Sequence, residues 1–262
     1  MIAQVEKPVL EIHDLTVSYG KNPILWNIDF SLPHGILAGI IGPNGAGKSS
    51  LIKAIMGLLE VNSGYIRVFD SEMDTVRKKI SYVPQRESVD WDFPASALDI
   101  VMMGTYHKLG LFNRPGKKEK ALAIKCLEKV DMANFQERQI SELSGGQQQR
   151  VFIARALAQE ADIYFMDEPF AGVDISTENT IVELLKEMTK AGKTVIVVHH
   201  DIHSASRYFD WIIMLNMHLI ASGPTDQVLT EQLLQKTFGG KLSLLSDVSD
   251  LIKQKGFDPL KN

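Results

Sequence analysis

The eight residues Gly42-Pro43-Asn44-Gly45-Ala46-Gly47-Lys48-Ser49 constrain this chain more than any other stretch. They follow the apolar run Ile36–Ile41, which reads as a buried strand, and they lead into Ser49–Gly57, which has helical character. The spacing is G-x-x-x-x-G-K-[ST] between a strand and a helix. Glycines there let backbone N–H groups converge on phosphate oxygens, and the helix N-terminus adds positive potential. Lys48 is placed to neutralise β- and γ-phosphates and the Ser49 hydroxyl to ligate Mg2+, with Ser50 next in the first helical turn. The blander alternative is a glycine turn that merely starts a helix.

Two further strands end in polar chemistry. Ile163–Met166 runs into Asp167 and Glu168. A carboxylate at the C-terminal end of a parallel strand faces the ligand crevice, so Asp167 is expected to hold Mg2+ and Glu168 to polarise the attacking water. The Val-rich Thr194–Val198 runs into His199, His200 and Asp201. Neighbours on an extended chain point to opposite sides, so only one histidine can reach a γ-phosphate, and the local pattern does not choose between them. The same divergence disfavours a metal held by both.

Organisation along the chain supports an α/β body. Val9–Tyr19 alternates, with Leu10, Ile12, Leu15, Val17 and Tyr19 expected inward; Leu25–Leu32 does the same with Ile28, Phe30 and Leu32, and a turn is expected at Lys21–Pro23. From about Arg86 to Gln159 the texture becomes helices and loops. Thr177–Ala191 reads as a helix with Ile181, Leu184, Leu185 and Met188 on one face and Gly192 behind it. Strand, helix, strand at this spacing implies parallel crossovers.

Composition narrows the functional classes. With 262 residues, 45% of them hydrophobic, the chain can fill one domain with a subdomain. A formal net charge of -4 does not favour nucleic acid as the main partner. The single cysteine, Cys126, excludes a disulfide framework and falls at helical spacing with Ala123, Leu127 and Val130, so it is expected to be a core residue. The start shows no signal-peptide pattern, and no run approaches the ~18 apolar residues of a spanning helix. The expectation is a soluble chain whose link to any membrane goes through a partner.

Leu143-Ser144-Gly145-Gly146-Gln147 lies 20 residues before Asp167. This is the signature of the ATP-binding cassette (ABC) ATPases, and the chain resembles that family over about residues 8 to 240. Phosphate loop, signature, acidic pair and histidine come in the family's order. The resemblance implies a P-loop NTPase fold of the ABC type: a parallel-sheet core, an N-terminal antiparallel β subdomain and a helical subdomain inserted at about 86–159. It leaves a tail, 241–262, with no assigned role. It implies ATP and Mg2+ as ligands, with Tyr19 stacked on adenine, Gln85 contacting Mg2+ and the lytic water, and His200 as the switch histidine. Ser144–Gln147 would contact the γ-phosphate held by a second copy, and Asp174, in Ala171-Gly172-Val173-Asp174, would cross between subunits. The middle residues of that last loop depart from the family's commonest form.

A narrower resemblance follows Gln85. Arg86-Glu87-Ser88-Val89-Asp90-Trp91-Asp92-Phe93-Pro94 and Asp99–Gly104 look like the ATPases of manganese, zinc and iron uptake systems. This implies import through a separate transmembrane permease, indirect dependence on a metal-binding solute receptor, and a peripheral place on the cytoplasmic face of the membrane. Trp91 and Phe93 would dock the permease, or alternatively close the helical subdomain's own core. An importer or exporter for another cargo and a soluble, non-transport ABC ATPase are the competing expectations.

Overall fold

The computed structural model describes residues 1–109 and 113–239; the tail 241–262 lies outside the described residues. Alternating apolar residues at the start form a hairpin. Its strands are β1 (Leu10–Tyr19) and β2 (Asn22–Leu32), paired antiparallel so that Ile12 faces Phe30 and Leu15 faces Ile28. Leu10, Ile12, Leu15, Val17, Ile28, Phe30 and Leu32 are all buried, as their parity predicts. Two expectations need correction. The turn falls at Gly20-Lys21, with Gly20 at φ +60, so pairing begins at Tyr19 with Asn22. Tyr19 has the parity of Leu15 and Val17 but is 51% exposed, because a register shift after Val17 and the tip that follows carry it past the last core layer.

The chain continues with β3 (Leu37–Ile41), α1 (Lys48–Ile55), β4 (Val61–Val68), α2 (Met73–Val76), β5 (Ile80–Val83), α3 (Ala97–Met103), α4 (Lys117–Lys129) and α5 (Gly145–Ala158). It closes with β6 (Ile163–Asp167), α6 (Ile175–Lys190), β7 (Thr194–Val198), α7 (Ile202–Tyr208), β8 (Trp211–Asn216), β9 (His218–Pro224), α8 (Thr225–Val228) and α9 (Glu231–Phe238). Two compact units result.

The first unit holds Met1–Pro33, Ala38–Met73 and the segment starting at Val198. It contains the antiparallel sheet β2-β1-β4 and the strand run β3-β8-β9, in which β3 and β8 are parallel and β8 and β9 antiparallel. β4 gave no strand signal because it buries only Val68 completely. Its Gly64 is required: at φ +87, an added Cβ would lie 2.2 Å from the carbonyl oxygen of His13 at the β1 bulge. All five residues of β3 are buried, which is why its sequence is continuously apolar and not alternating.

The second unit holds His34–Leu37 and Asp74–Val197. Strands β5-β6-β7 lie side by side, with β5 and β6 parallel. α6 begins two residues before the expected start, because the Asp174 carboxylate accepts the N–H of Thr177 at 3.0 Å and caps the helix. Ile181, Leu184, Leu185 and Met188 are its buried face, as read from the sequence. α3, α4 and α5 pack on one another. Ser96 and Asp99 start α3 with a reciprocal capping box.

Cys126 is buried in α4 beside Ala123 and Leu127, and burial pushes its thiol up to about 11. A thiol labels through its thiolate. Alkylation at neutral pH is therefore expected to run roughly 100-fold slower on folded protein than on unfolded protein. Equal rates before and after denaturation would contradict the core assignment.

Candidate functional site

In the first unit, β3 delivers the chain into the loop 42–49. Gly45 and Gly47 have φ +80 and +91, conformations that side-chain-bearing residues rarely adopt. Gly42 is fixed by contact: a Cβ there would lie 2.0 Å from the carbonyl oxygen of Leu215. Gly47 is fixed by both, since a Cβ would also meet Leu25 at 2.5 Å. Hydrogen bonds from Ala46 N–H to Pro43 (3.2 Å) and from Met217 N–H to Ala46 (3.0 Å) hold the loop closed. Gly47 caps α1 without any side-chain hydrogen bond, so no side chain of the cap occupies the first N–H groups. Asn44 and Gly45 are exposed, while Pro43, Ser49 and Ser50 are half-buried. Lys48 is only 7% exposed, and its ammonium donates to the carbonyls of Gly42 (2.9 Å) and Pro43 (3.0 Å). A cation is thus held over a concave loop of backbone, the arrangement that accepts a phosphate.

The two histidines after β7 part as their neighbourhood requires. His200 is exposed. His199 is buried, its Nε2 2.7 Å from the Ser204 hydroxyl, and burial drops its imidazole to about 4, so it is neutral at physiological pH. The Ser204 hydroxyl lies 2.5 Å from an Asp201 carboxylate oxygen and donates to it. That leaves the Ser204 oxygen to accept from His199 Nε2–H. Asp201 also accepts the N–H groups of His203 and Ser204 and so caps α7.

In the second unit, β6 ends on Asp167, which is 1% exposed. Burial, with the Asp167 charge adding to it, pushes the neighbouring Tyr82 phenol up to about 12. Glu168 is half-buried and has φ +51, a left-handed backbone at a non-glycine residue. Such strain concentrates at functional positions. Gln85 is half-buried at the head of the turn Arg86–Ser88, its carbonyl accepting the Ser88 hydroxyl at 2.7 Å. Ser144 is exposed and caps α5 in a box with Gln147: Ser144 N–H to Gln147 Oε1 is 2.9 Å, and Gln147 N–H to Ser144 Oγ is 3.4 Å. A Cβ at Gly146 would come 3.3 Å from Val173, so the 171–174 loop lies against the start of α5. Asp174 is exposed, and its carboxyl is lowered, chiefly by the backbone N–H of Thr177.

Trp91 and Phe93 separate. The Trp91 indole N–H donates to the Arg86 carbonyl at 2.8 Å, and its ring meets Phe152 edge-on at 4.9 Å. Phe93 is 50% exposed. The sequence patterns missed Ser204, which bonds both His199 and the capping Asp201, and the pair Arg86 and Gln148, whose side chains bond each other across 62 residues of chain.

The ABC transporter family model matches residues 25–171. The chain belongs to the ABC transporter ATPases. As a member of that family it is an ATP-binding, ATP-hydrolysing transporter subunit. Two curated relatives match at high identity. The zinc transport system ATP-binding protein TroB of Treponema pallidum is 53% identical over 89% of this chain and 88% of its own length. The manganese transport system ATP-binding protein MntB of Bacillus subtilis is 56% identical over 91% and 95%. A solved dimeric ATP-binding cassette in a post-hydrolysis state, bound to ADP and Pi, is 30% identical, covers 82% of this chain and 98% of that one, and superposes with a TM-score of 0.72. Among the described residues no helix is long and apolar enough to cross a membrane.

Proposed function

We propose that this ABC ATPase powers the import of a divalent transition metal, manganese or zinc, through a separate membrane-spanning permease at the cytoplasmic face of the membrane. The carrying observation is identity above one half, over nearly the whole of both chains, to ATP-binding subunits of manganese and zinc transport systems. A metal-binding solute receptor would deliver the cargo to the permease. Residues 8–240 would act as one ABC domain, with 86–159 as its helical part.

Within that function each group has a role. Tyr19, exposed at the hairpin tip, offers its ring to adenine. Residues 42–50 wrap the phosphates with backbone N–H groups, and Lys48 exchanges its two carbonyl partners for phosphate oxygens. Ser49, Gln85 and Asp167 would each offer an oxygen ligand, the kind that suits Mg2+. When bound with ATP there, the ion would supply charge neutralisation at the β- and γ-phosphates. Glu168 takes a proton from the attacking water, and His200 orients the γ-phosphate. Ser144–Gln147 present the start of α5 to the ATP of a second copy, and Asp174 lies at that junction. A second subunit is therefore needed for each complete site, in keeping with the dimeric cassette it resembles.

Docking to the permease falls to Phe93, while Trp91 anchors the loop to its own unit. Phe93→Ala is expected to leave the melting temperature and basal ATPase unchanged and to cut permease-dependent stimulation by about tenfold or more, the effect of losing an aromatic anchor. Trp91→Ala should also lower the melting temperature. The functional test is ATP-dependent uptake into vesicles holding the chain with its permease, using labelled manganese or zinc and competing iron. Robust permease-stimulated ATPase with no divalent-metal uptake would refute metal import.

A further inference from the structure

Arg86 and Gln148 follow directly on Gln85 and Gln147, and they are bonded to each other. Arg86 Nε and Nη2 donate to Gln148 Oε1 at 3.2 and 3.0 Å. Gln148 is buried, and its Nε2–H donates at 3.0 Å to the carbonyl of Ile140, in the turn that leads into Leu143-Ser144. This second bond fixes the amide orientation and leaves Oε1 as the acceptor for Arg86. On its other side Arg86 is tied to the loop that carries Phe93. Its carbonyl accepts the Trp91 indole N–H at 2.8 Å, and its guanidinium carbon lies 5.8 Å from the centre of the Trp91 ring.

The guanidinium also accounts for Gly145. A Cβ there would sit 3.0 Å from Arg86 Nε and 3.1 Å from its Cζ, so a side chain at position 145 would press on the fork where it meets the first residue of α5. A cation at a helix N-terminus opposes the helix dipole. Here direct bonds hold it, and the arriving anion of a phosphate would compensate it. A bare ammonium could supply the charge but not two converging N–H groups.

We propose that Arg86 is a positioning residue for the half-site that reaches the second subunit: its fork sets the start of α5 through Gln148 and Gly145, and its contacts with Trp91 tie that start to the 86–93 loop. The inference rests on the assignment of Ser144–Gln147 to that half-site.

The test uses the full chain carrying Glu168→Gln, with ATP- and Mg2+-driven dimerisation followed by size-exclusion chromatography. The chain with Glu168 intact is used for turnover. Arg86→Ala is expected to raise the concentration for half-dimerisation about tenfold or more and to lower kcat similarly, with the ATP affinity of the monomer and the melting temperature held. Arg86→Lys, which keeps charge without the fork, should rescue less than about half of the loss. Gln148→Met, which removes the acceptor at similar volume, should reproduce the Arg86→Ala defect, and the double variant should be no worse than either. If Arg86→Ala does not fold, Gln148→Met is judged by the same criteria. Dimerisation at the parent level, full rescue by lysine, or simple addition of the two defects would each overturn the proposal. Ser144→Arg separates the levels. If it too leaves dimerisation intact, the half-site assignment itself fails. If it blocks dimerisation while Arg86→Ala does not, only the role of Arg86 fails.

Discussion

Glu168→Gln is expected to stop ATP turnover, by about 100-fold or more, while leaving ATP binding in place. The amide keeps the size of the side chain and removes the proton acceptor. Bound ATP then persists, and because each nucleotide is proposed to take groups from two copies, the variant should run as a stable dimer in ATP and Mg2+. The parent should be mostly monomeric under the same conditions. The backbone adds a second arm to this experiment. Glu168 sits at φ +51, where glycine is at ease and glutamate is strained by roughly 1 kcal/mol or more. Glu168→Gly is therefore expected to abolish turnover equally, with a melting temperature equal to or above the parent's. A catalytic residue held against its own backbone preference gives this combination; a residue selected for stability gives the reverse. Near-parent turnover in the glutamine variant would remove Glu168 from the role of base.

Lys48→Ala is expected to weaken ATP binding about 100-fold, some 2.7 kcal/mol, and to lower catalysis with it. This loss exceeds that of a surface ion pair, about 1 kcal/mol at most, because Lys48 is 7% exposed and water screens it poorly. The ammonium already has two carbonyl partners, Gly42 and Pro43, so the phosphates must replace these bonds, not simply meet a solvated cation. Lys48→Arg should not restore affinity, since a planar guanidinium does not replace a compact ammonium point charge. Calorimetry on the three proteins measures this directly. An unchanged ATP affinity in the alanine variant would place the phosphate site elsewhere.

Several features of the site were legible because the backbone itself dictates them. The positive φ angles of Gly45 and Gly47 and the lysine that follows leave few alternatives to a phosphate loop. Ser144 and Gln147 form a reciprocal cap with partners three residues apart, so the start of α5 could be read from the signature alone. The inward faces of β1 and β2 followed from parity, and that of α6 from helical spacing. Other elements gave no such signal. β4 is mostly exposed and sets Gly64 against the β1 bulge, so its sequence has neither alternation nor a continuous apolar run.

The chain by itself determined the chemistry on offer: a phosphate cradle, two carboxylates at a strand end, paired histidines and the ordered motifs of the ABC family. These depend on dihedral preferences and on contacts three or four residues away. Tertiary structure alone decided how that chemistry is presented. It buried His199 against Ser204 and left His200 outside. It carried Tyr19 past the core by a register shift, strained the backbone at Glu168, and divided Trp91 from Phe93. It also joined Arg86 to Gln148 across 62 residues of chain. These outcomes turn on how segments pack and pair in the folded chain, and a linear pattern of residue types does not encode that.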